Sequence, residues 1–249
     1  MSSITNAFIL STLAGLSTLI GFLFIFIKKD KNNIISNALG FASGVMITIS
    51  IIDLLPNSLL LINKTYGIIT TIFLILIGFL CGIIISNVID KFVNKNSNKG
   101  HKLYKVGIIS MLVIMMHNIP EGIATFITST NNIKLGLIMT ISIALHNIPE
   151  GISISIPIYY STKSKSKAFI HTLISGLSEP LGALITYIFL FKYINETILG
   201  IIYSIIAGMM INISINELYK ESINYNKKNT LIYFIIGSFI MILSHLLLN

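Results

Sequence analysis

The stretch HNIPEGIATFITSTNNIKLGLIMTISIALHNIPEGI, residues 117–152, opens and closes on the same seven residues. His117-Asn118-Ile119-Pro120-Glu121-Gly122-Ile123 returns as His146-Asn147-Ile148-Pro149-Glu150-Gly151-Ile152, an identity too long for coincidence. Between the copies the chain is apolar except for a short polar break near 129–133, so the two motifs belong on neighbouring antiparallel helices. On a helix His117 and Glu121 are one turn apart and Asn118 lies three residues from the same glutamate, which lets all three share a face. Each proline lacks the N–H that would bond four residues back, freeing the carbonyls of Met116 and Leu145 beside the histidines.

Outside this stretch the chain is equally apolar. Of 249 residues 54% are hydrophobic and only 10% charged, against roughly a quarter charged in a soluble domain, and the mean hydropathy is +0.86. These values describe an all-α integral membrane protein. Apolar runs mark eight transmembrane helices, at about 5–27, 34–61, 66–89, 104–128, 134–159, 168–191, 197–218 and 230–248. At about 20 residues per span they consume about 160 residues and leave no room for a soluble catalytic domain, so 1–249 reads as one transmembrane unit. The first run lacks a positive start and is too long for a signal peptide, and it reads as a retained helix.

The net charge of +8 raises nucleic acid as a partner, but position decides otherwise. All 17 basic residues are lysines. Fourteen fall in alternate loops, at 28–31, 91–105, 163–167 and 220–228, leaving only Lys64, Lys134 and Lys192 on the other side. By the positive-inside rule the lysine-rich loops are cytoplasmic and both termini extracytoplasmic. The expected location is the cell membrane, multi-pass, with the lipid bilayer as partner and no nucleic acid. The loop at 90–105 carries a solitary His101, too few ligands for a metal sensor. Cys81 is the single cysteine, which rules out a disulfide framework within one chain; it is expected to pack, and His171 and His245, near span ends, to be structural.

With loops and span ends set aside, Asp53, His117, Glu121, His146, Glu150, Glu179 and Glu217 remain inside the spans, and no lysine accompanies them there. A carboxylate at a helix centre costs roughly 2.5–3.5 kcal/mol, so five left ionised and unpaired approach about 12–17 kcal/mol. Their counter-charge has to be protons, water or bound cations. Glu179 sits at the midpoint of the sixth run, among small residues and before Pro180, as a third wall of the same site. Read by depth, Asp53 lies to one side of the centre, Glu121, Glu150 and Glu179 at it, and Asn212, Asn216 and Glu217 to the other. That order suits a path. Imidazole with carboxylate suits zinc and neighbouring divalent ions, whereas calcium and magnesium prefer all-oxygen sites. A pair of kinked helices with hydrogen-bonded polar residues is the plain alternative, but packing requires neither histidine nor glutamate.

These residues resemble the ZIP (Zrt/Irt-like) family of divalent-metal transporters. The resemblance covers essentially the whole chain: Gly40-Phe41-Ala42-Ser43-Gly44-Val45-Met46, the two HNIPEG segments, Ile174-Ser175-Gly176-Leu177-Ser178-Glu179, and Asn216-Glu217-Leu218. It implies uptake of zinc, and often iron, manganese or cobalt, through a binuclear midplane site of His117, Asn118, Glu121, His146, Asn147, Glu150 and Glu179. Met46 would adjoin that site and Asp53 would stand at the outer entrance. Cadmium belongs to the same donor class, no prosthetic group is implied, and a homodimer is compatible with it. The histidine-rich loop of many members is reduced here to His101. Two other classes compete: an intramembrane metal-dependent hydrolase, against which HExxH is absent, and a proton-coupled carrier of an organic solute.

Overall fold

The computed structural model describes residues 3–27, 30–96, 102–190 and 195–248; His101 and Lys192 lie outside them. Among the described residues every regular element is helical. Helix α1 runs Ser3–Phe26, α2 Lys31–Asn63, α3 Ile68–Asn96, α4 Lys102–Asn131, α5 Ile133–Thr162 and α6 Lys165–Phe189. Local signals set the starts. The Asp30 carboxylate accepts the N–H groups of Asn32 and Asn33, and Asn132 Oδ1 those of Lys134 and Leu135, as N-caps do.

Seven helical runs among the described residues are long and apolar enough to cross a membrane, where the sequence suggests eight. The difference lies in the last, 52 residues from Glu196 to Leu247. At 1.5 Å per residue it would extend about 78 Å, more than twice a hydrocarbon core of about 30 Å. Asn226 breaks it with non-helical backbone (φ −161°, ψ 102°), and its Oδ1 accepts the Asn229 N–H at 3.1 Å to start the next helix. The run is therefore α7 (196–225) and α8 (227–248). Helix α7 extends beyond residue 218 because the stop signal is Asn226, not Lys220. Asn33 Oδ1 accepts from both Asn226 and Asn229 and ties the junction to the start of α2.

The helices pack as two groups. In α1, α4, α5 and α6 every pair is in contact; in the second group α2 packs on α8, α3 on α7, and α2 on α7. The groups meet chiefly where α2 faces α5 and α7 faces α4, with smaller contacts of α3 with α4 and of α8 with α5. An apolar groove of about 410 Å³, lined by Ile34 and Phe41 of α2, Ile148 and Ile152 of α5 and Ile236 and Ile240 of α8, lies along that seam. Helix α3 is peripheral: Ile69 is 84% exposed, and Cys81, expected to pack, is exposed on the same helix. A face this apolar would be an association site in water, and it suits a multi-pass membrane protein.

Three helices widen locally into π-helical turns, at Ser50–Leu54 in α2, Thr186–Leu190 in α6 and Ser214–Tyr219 in α7. Single wide turns of this kind gather at functional positions. Two of these three carry acids singled out in the sequence, Asp53 and Glu217.

Candidate metal centre

The two HNIPEG copies lie face to face in the middle of the first group. His146 Nε2 is 2.8 Å from Glu121 Oε1, and His117 Nε2 is 3.1 Å from the same oxygen and 3.7 Å from Glu150 Oε1. One ligand atom from each of His117, Glu121 and His146 lies within 4.8 Å of the others, and all three residues are buried. Glu150 and Glu179 are fully buried beside them. Asn147 Nδ2 donates to a carboxylate oxygen of Glu179 and to the Ala14 carbonyl. Asn118 Nδ2 donates to the Ser175 carbonyl at 3.3 Å.

What these residues leave unpaired is as informative as what they pair. Both Glu150 oxygens, Glu121 Oε2, Glu179 Oε2, Asn118 Oδ1, Asn147 Oδ1 and the Nδ1 atoms of both histidines are buried without a hydrogen-bond partner. His117 Nε2 approaches Glu121 without hydrogen-bond alignment. Buried polar atoms are satisfied in the great majority of cases. So many orphans at one place mark a site completed by something else, and a nitrogen and oxygen donor set with several carboxylates fits a divalent cation.

The glycines of the motif explain how four helices come this close. A Cβ on Gly122 would run into the backbone of Glu179 on α6, and one on Gly151 into the backbone of Thr18 on α1. Gly182 lies against Ile119, and Gly21 against Ile148, the matching residue of the second copy. Gly15 and Gly176 oppose each other. The group therefore has an internal two-fold relation that exchanges α4 with α5 and α1 with α6. The sequence bears its trace: Leu13-Ala14-Gly15-Leu16-Ser17-Thr18-Leu19-Ile20-Gly21 lines up with Ile174-Ser175-Gly176-Leu177-Ser178-Glu179-Pro180-Leu181-Gly182.

The remaining sequence candidates fall outside the cluster. Asp53 accepts from Asn57 Nδ2 at 3.1 Å and has His245 Nδ1 at 3.9 Å. It lines a cavity of about 210 Å³ together with Glu121 and His146. His245 thus stands near a candidate and is not merely terminal. Glu217 has a counter-charge that a reading confined to the spans missed: Lys105 Nζ, from the start of α4, lies 3.6 Å from it and 2.6 Å from Asp90. Asn216 donates to Asn212, which donates to Ser86 and Asn87 of α3. Met46 is fully buried in the main apolar core. His171 Nδ1 contacts its own helix at the Lys167 carbonyl.

Comparison with known proteins places the chain. The family model described as "ZIP Zinc transporter" matches residues 93–245. A zinc transporter ZupT of Streptococcus mutans serotype c is 40% identical, across 98% of this chain and 97% of its own. The zinc transporter ZupT of Oceanobacillus iheyensis is 39% identical over the full length of both, and that of Clostridium perfringens 36% identical across 100% and 97%.

The chain belongs to the ZIP family.

In this ZIP chain the second helix group repeats the internal relation of the first. Residues 42–54 of α2, ASGVMITISIIDL, line up with residues 206–218 of α7, IAGMMINISINEL. Gly44 approaches the backbone of Phe234 on α8, and Gly208 that of Phe79 on α3, so α2 with α8 corresponds to α7 with α3. Successive crossings alternate in direction, which makes α2 and α7 an inverted pair, a common plan in transporters. Met210 is thereby the counterpart of Met46, and both are fully buried. Met210 was not singled out from sequence, because the two copies coincide mainly in residues that any membrane helix is rich in.

Proposed function

We propose that this protein carries zinc across the cell membrane into the cytoplasm, binding the cation at the midplane between His117, Asn118, Glu121, His146, Asn147, Glu150 and Glu179, with room for two ions sharing carboxylates. Met46 stands as a soft neighbour, Asp53 receives the ion at the outer mouth, and Asn216 with Glu217 passes it on at the inner one. Iron(II), manganese, cobalt and cadmium fit the same donors and compete. The lysine-rich loops face the cytoplasm and both termini lie outside.

The observation that carries this reading is the cluster of buried, unpartnered nitrogen and oxygen atoms contributed by both HNIPEG copies and Glu179. The family's description and the names of its relatives agree with zinc as cargo. The division into two helix groups with an apolar groove along their seam supports movement of one group against the other, exposing the site to each side in turn. Carboxylates that let the metal go take up protons or water, which makes release dependent on pH.

The test is zinc uptake into vesicles containing the full chain, with iron(II), manganese and cadmium as competitors. Wild-type protein accumulates zinc with saturation, and the Glu121→Ala and Glu150→Ala variants lose uptake. Full flux in both variants would show that the cation travels elsewhere.

A further inference from the structure

We propose that Thr18 is the α1 member of the metal centre: its hydroxyl stands at the position where α6 carries Glu179, and the neutral oxygen there sets how firmly the divalent cation is held. The proposal rests on the transport site above and adds to it a residue on a helix that supplies none of the ligands assigned so far.

The internal two-fold relation makes the correspondence residue by residue. Glu179's backbone is what Gly122 approaches; Thr18's is what Gly151 approaches. Glu179 Cβ lies beside Gly15 and Thr18 Cβ beside Gly176. Asn147 donates to the Ala14 carbonyl, four residues before Thr18, and Asn118 to the Ser175 carbonyl, four residues before Glu179. Ser17 Oγ and Ser178 Oγ donate to those same two carbonyls. The relation thus places Thr18 opposite Asn118 as Glu179 stands opposite Asn147.

The state of the hydroxyl gives a second, independent reason. A threonine in a membrane helix ordinarily donates to the carbonyl four residues back, as Thr140, Thr172 and Thr186 do here. For Thr18 that acceptor is the Ala14 carbonyl, whose lone pairs are already taken by Ser17 and Asn147. Thr18 is fully buried and its Oγ1 has no partner; Asn118 Oδ1, across the two-fold, has none either.

Threonine ends two carbons short of a glutamate. Its hydroxyl therefore acts on the cation through a water, for which Thr18 Oγ1 and Asn118 Oδ1, both buried and unpartnered, offer hydrogen-bonding atoms. A glutamate at position 18 would give the centre a fourth carboxylate, and affinity for a divalent cation rises with ligand charge. The asymmetry of one glutamate and one threonine keeps the site strong enough to fill and weak enough to empty.

The experiment exchanges the two side chains. Zinc binding is measured by calorimetry on the full chain in detergent, and zinc flux in vesicles, for Glu179→Thr, the double variant Thr18→Glu with Glu179→Thr, Thr18→Val and Thr18→Ser. Glu179→Thr is expected to weaken binding about 100-fold, and the exchanged double variant to recover to within about tenfold of wild type. Thr18→Val, which keeps the shape and removes the hydroxyl, should weaken binding about tenfold, with Thr18→Ser at the wild-type value. Thr18→Glu alone should bind about tenfold more tightly and turn over more slowly. A folded double variant that binds no better than Glu179→Thr, or a Thr18→Val protein indistinguishable from wild type, overturns the role of Thr18. Wild-type binding in Glu179→Thr itself overturns the underlying site instead. If the exchange variant does not fold, the valine and serine pair decides the question.

Discussion

Asp53 and Glu217 hold one position in two inverted copies of a helix. Each follows the sequence Met-Ile-x-Ile-Ser-Ile-x, each sits in a π-helical turn, and a leucine comes after both. Because the copies run in opposite directions, the transport reading proposed above puts one acid on each side of the midplane. Their surroundings then diverge: Asp53 lines a cavity that reaches Glu121 and His146, whereas Glu217 is engaged by Lys105.

From this divergence Asp53→Asn and Glu217→Gln should slow zinc uptake by different routes. Loss of the carboxylate at the cavity reduces capture, so Asp53→Asn raises KM several-fold with little change in kcat. Loss of the acid on the far side slows release, so Glu217→Gln lowers kcat with little change in KM. Zinc titrations of the solubilised variants should leave midplane affinity within about threefold of wild type, a difference of under 1 kcal/mol. Flux in vesicles over a range of zinc concentrations separates the two, and matching kinetic changes in both variants would refute the assignment of sides.

Lys105 serves two half-buried carboxylates at once, Asp90 at 2.6 Å and Glu217 at 3.6 Å. Removing one partner of a fully buried pair costs about 3–5 kcal/mol, and the partial exposure here reduces that to about 1–2 kcal/mol. Lys105→Met should therefore lower thermal stability in detergent, and adding Glu217→Gln should return part of the loss by removing an uncompensated charge. A double variant less stable than Lys105→Met would show that the pair is not the source.

Glu150 has two buried oxygens without a hydrogen-bond partner, so its function and its stability oppose each other. In chelator, Glu150→Gln is expected to be at least as stable as wild type, since a buried carboxylate without a hydrogen-bond partner becomes a neutral amide. With zinc the order reverses. A cation present at 100 times its dissociation constant stabilises the wild-type fold by about 2.7 kcal/mol, and a variant that binds weakly gains little. Melting curves in detergent with and without zinc test both halves. A Glu150→Gln protein that is destabilised without metal and still gains full stability with it would contradict the role given to this residue.

How much of this was legible in the sequence depends on the kind of repeat. The HNIPEG copies lie in adjacent helices and contain histidine, asparagine, proline and glutamate, rare company in a membrane span, so their pairing could be read directly. The α2 and α7 copies are two-thirds of the chain apart and coincide mainly in isoleucine, serine and leucine, which any membrane helix is rich in. Their equivalence became visible only when matching glycines were found in matching crossings. Thr18 gave no signal because a threonine in such a helix normally bonds its own backbone; only the structure shows that its acceptor is already occupied. Lys105 was assigned to a loop by its charge, and its reach to Glu217 follows from α4 beginning at Lys102, which places the lysine one turn into the helix.

The close crossings themselves make the last prediction. A methyl group on Gly122 or Gly151 meets backbone atoms of Glu179 or Thr18 closer than real side chains approach, and backbone cannot swing aside as a side-chain tip does. Overpacking of this kind costs about 1–3 kcal/mol where side chains can yield, so Gly122→Ala and Gly151→Ala should each lose about 3 kcal/mol or more. The two-fold relation further requires the losses to be similar, although the residues displaced differ in charge. Gly67, where an added methyl would meet nothing within 4 Å, is the control: Gly67→Ala should change stability by no more than about 0.5 kcal/mol. Thermal midpoints followed by size exclusion in detergent provide the comparison. In Gly122→Ala zinc binding should fall together with stability, because the backbone that must move carries Glu179. A pair of alanine variants as stable as Gly67→Ala would show that the four helices do not cross as closely as described, and the correspondence of Thr18 with Glu179 would lose its geometric basis.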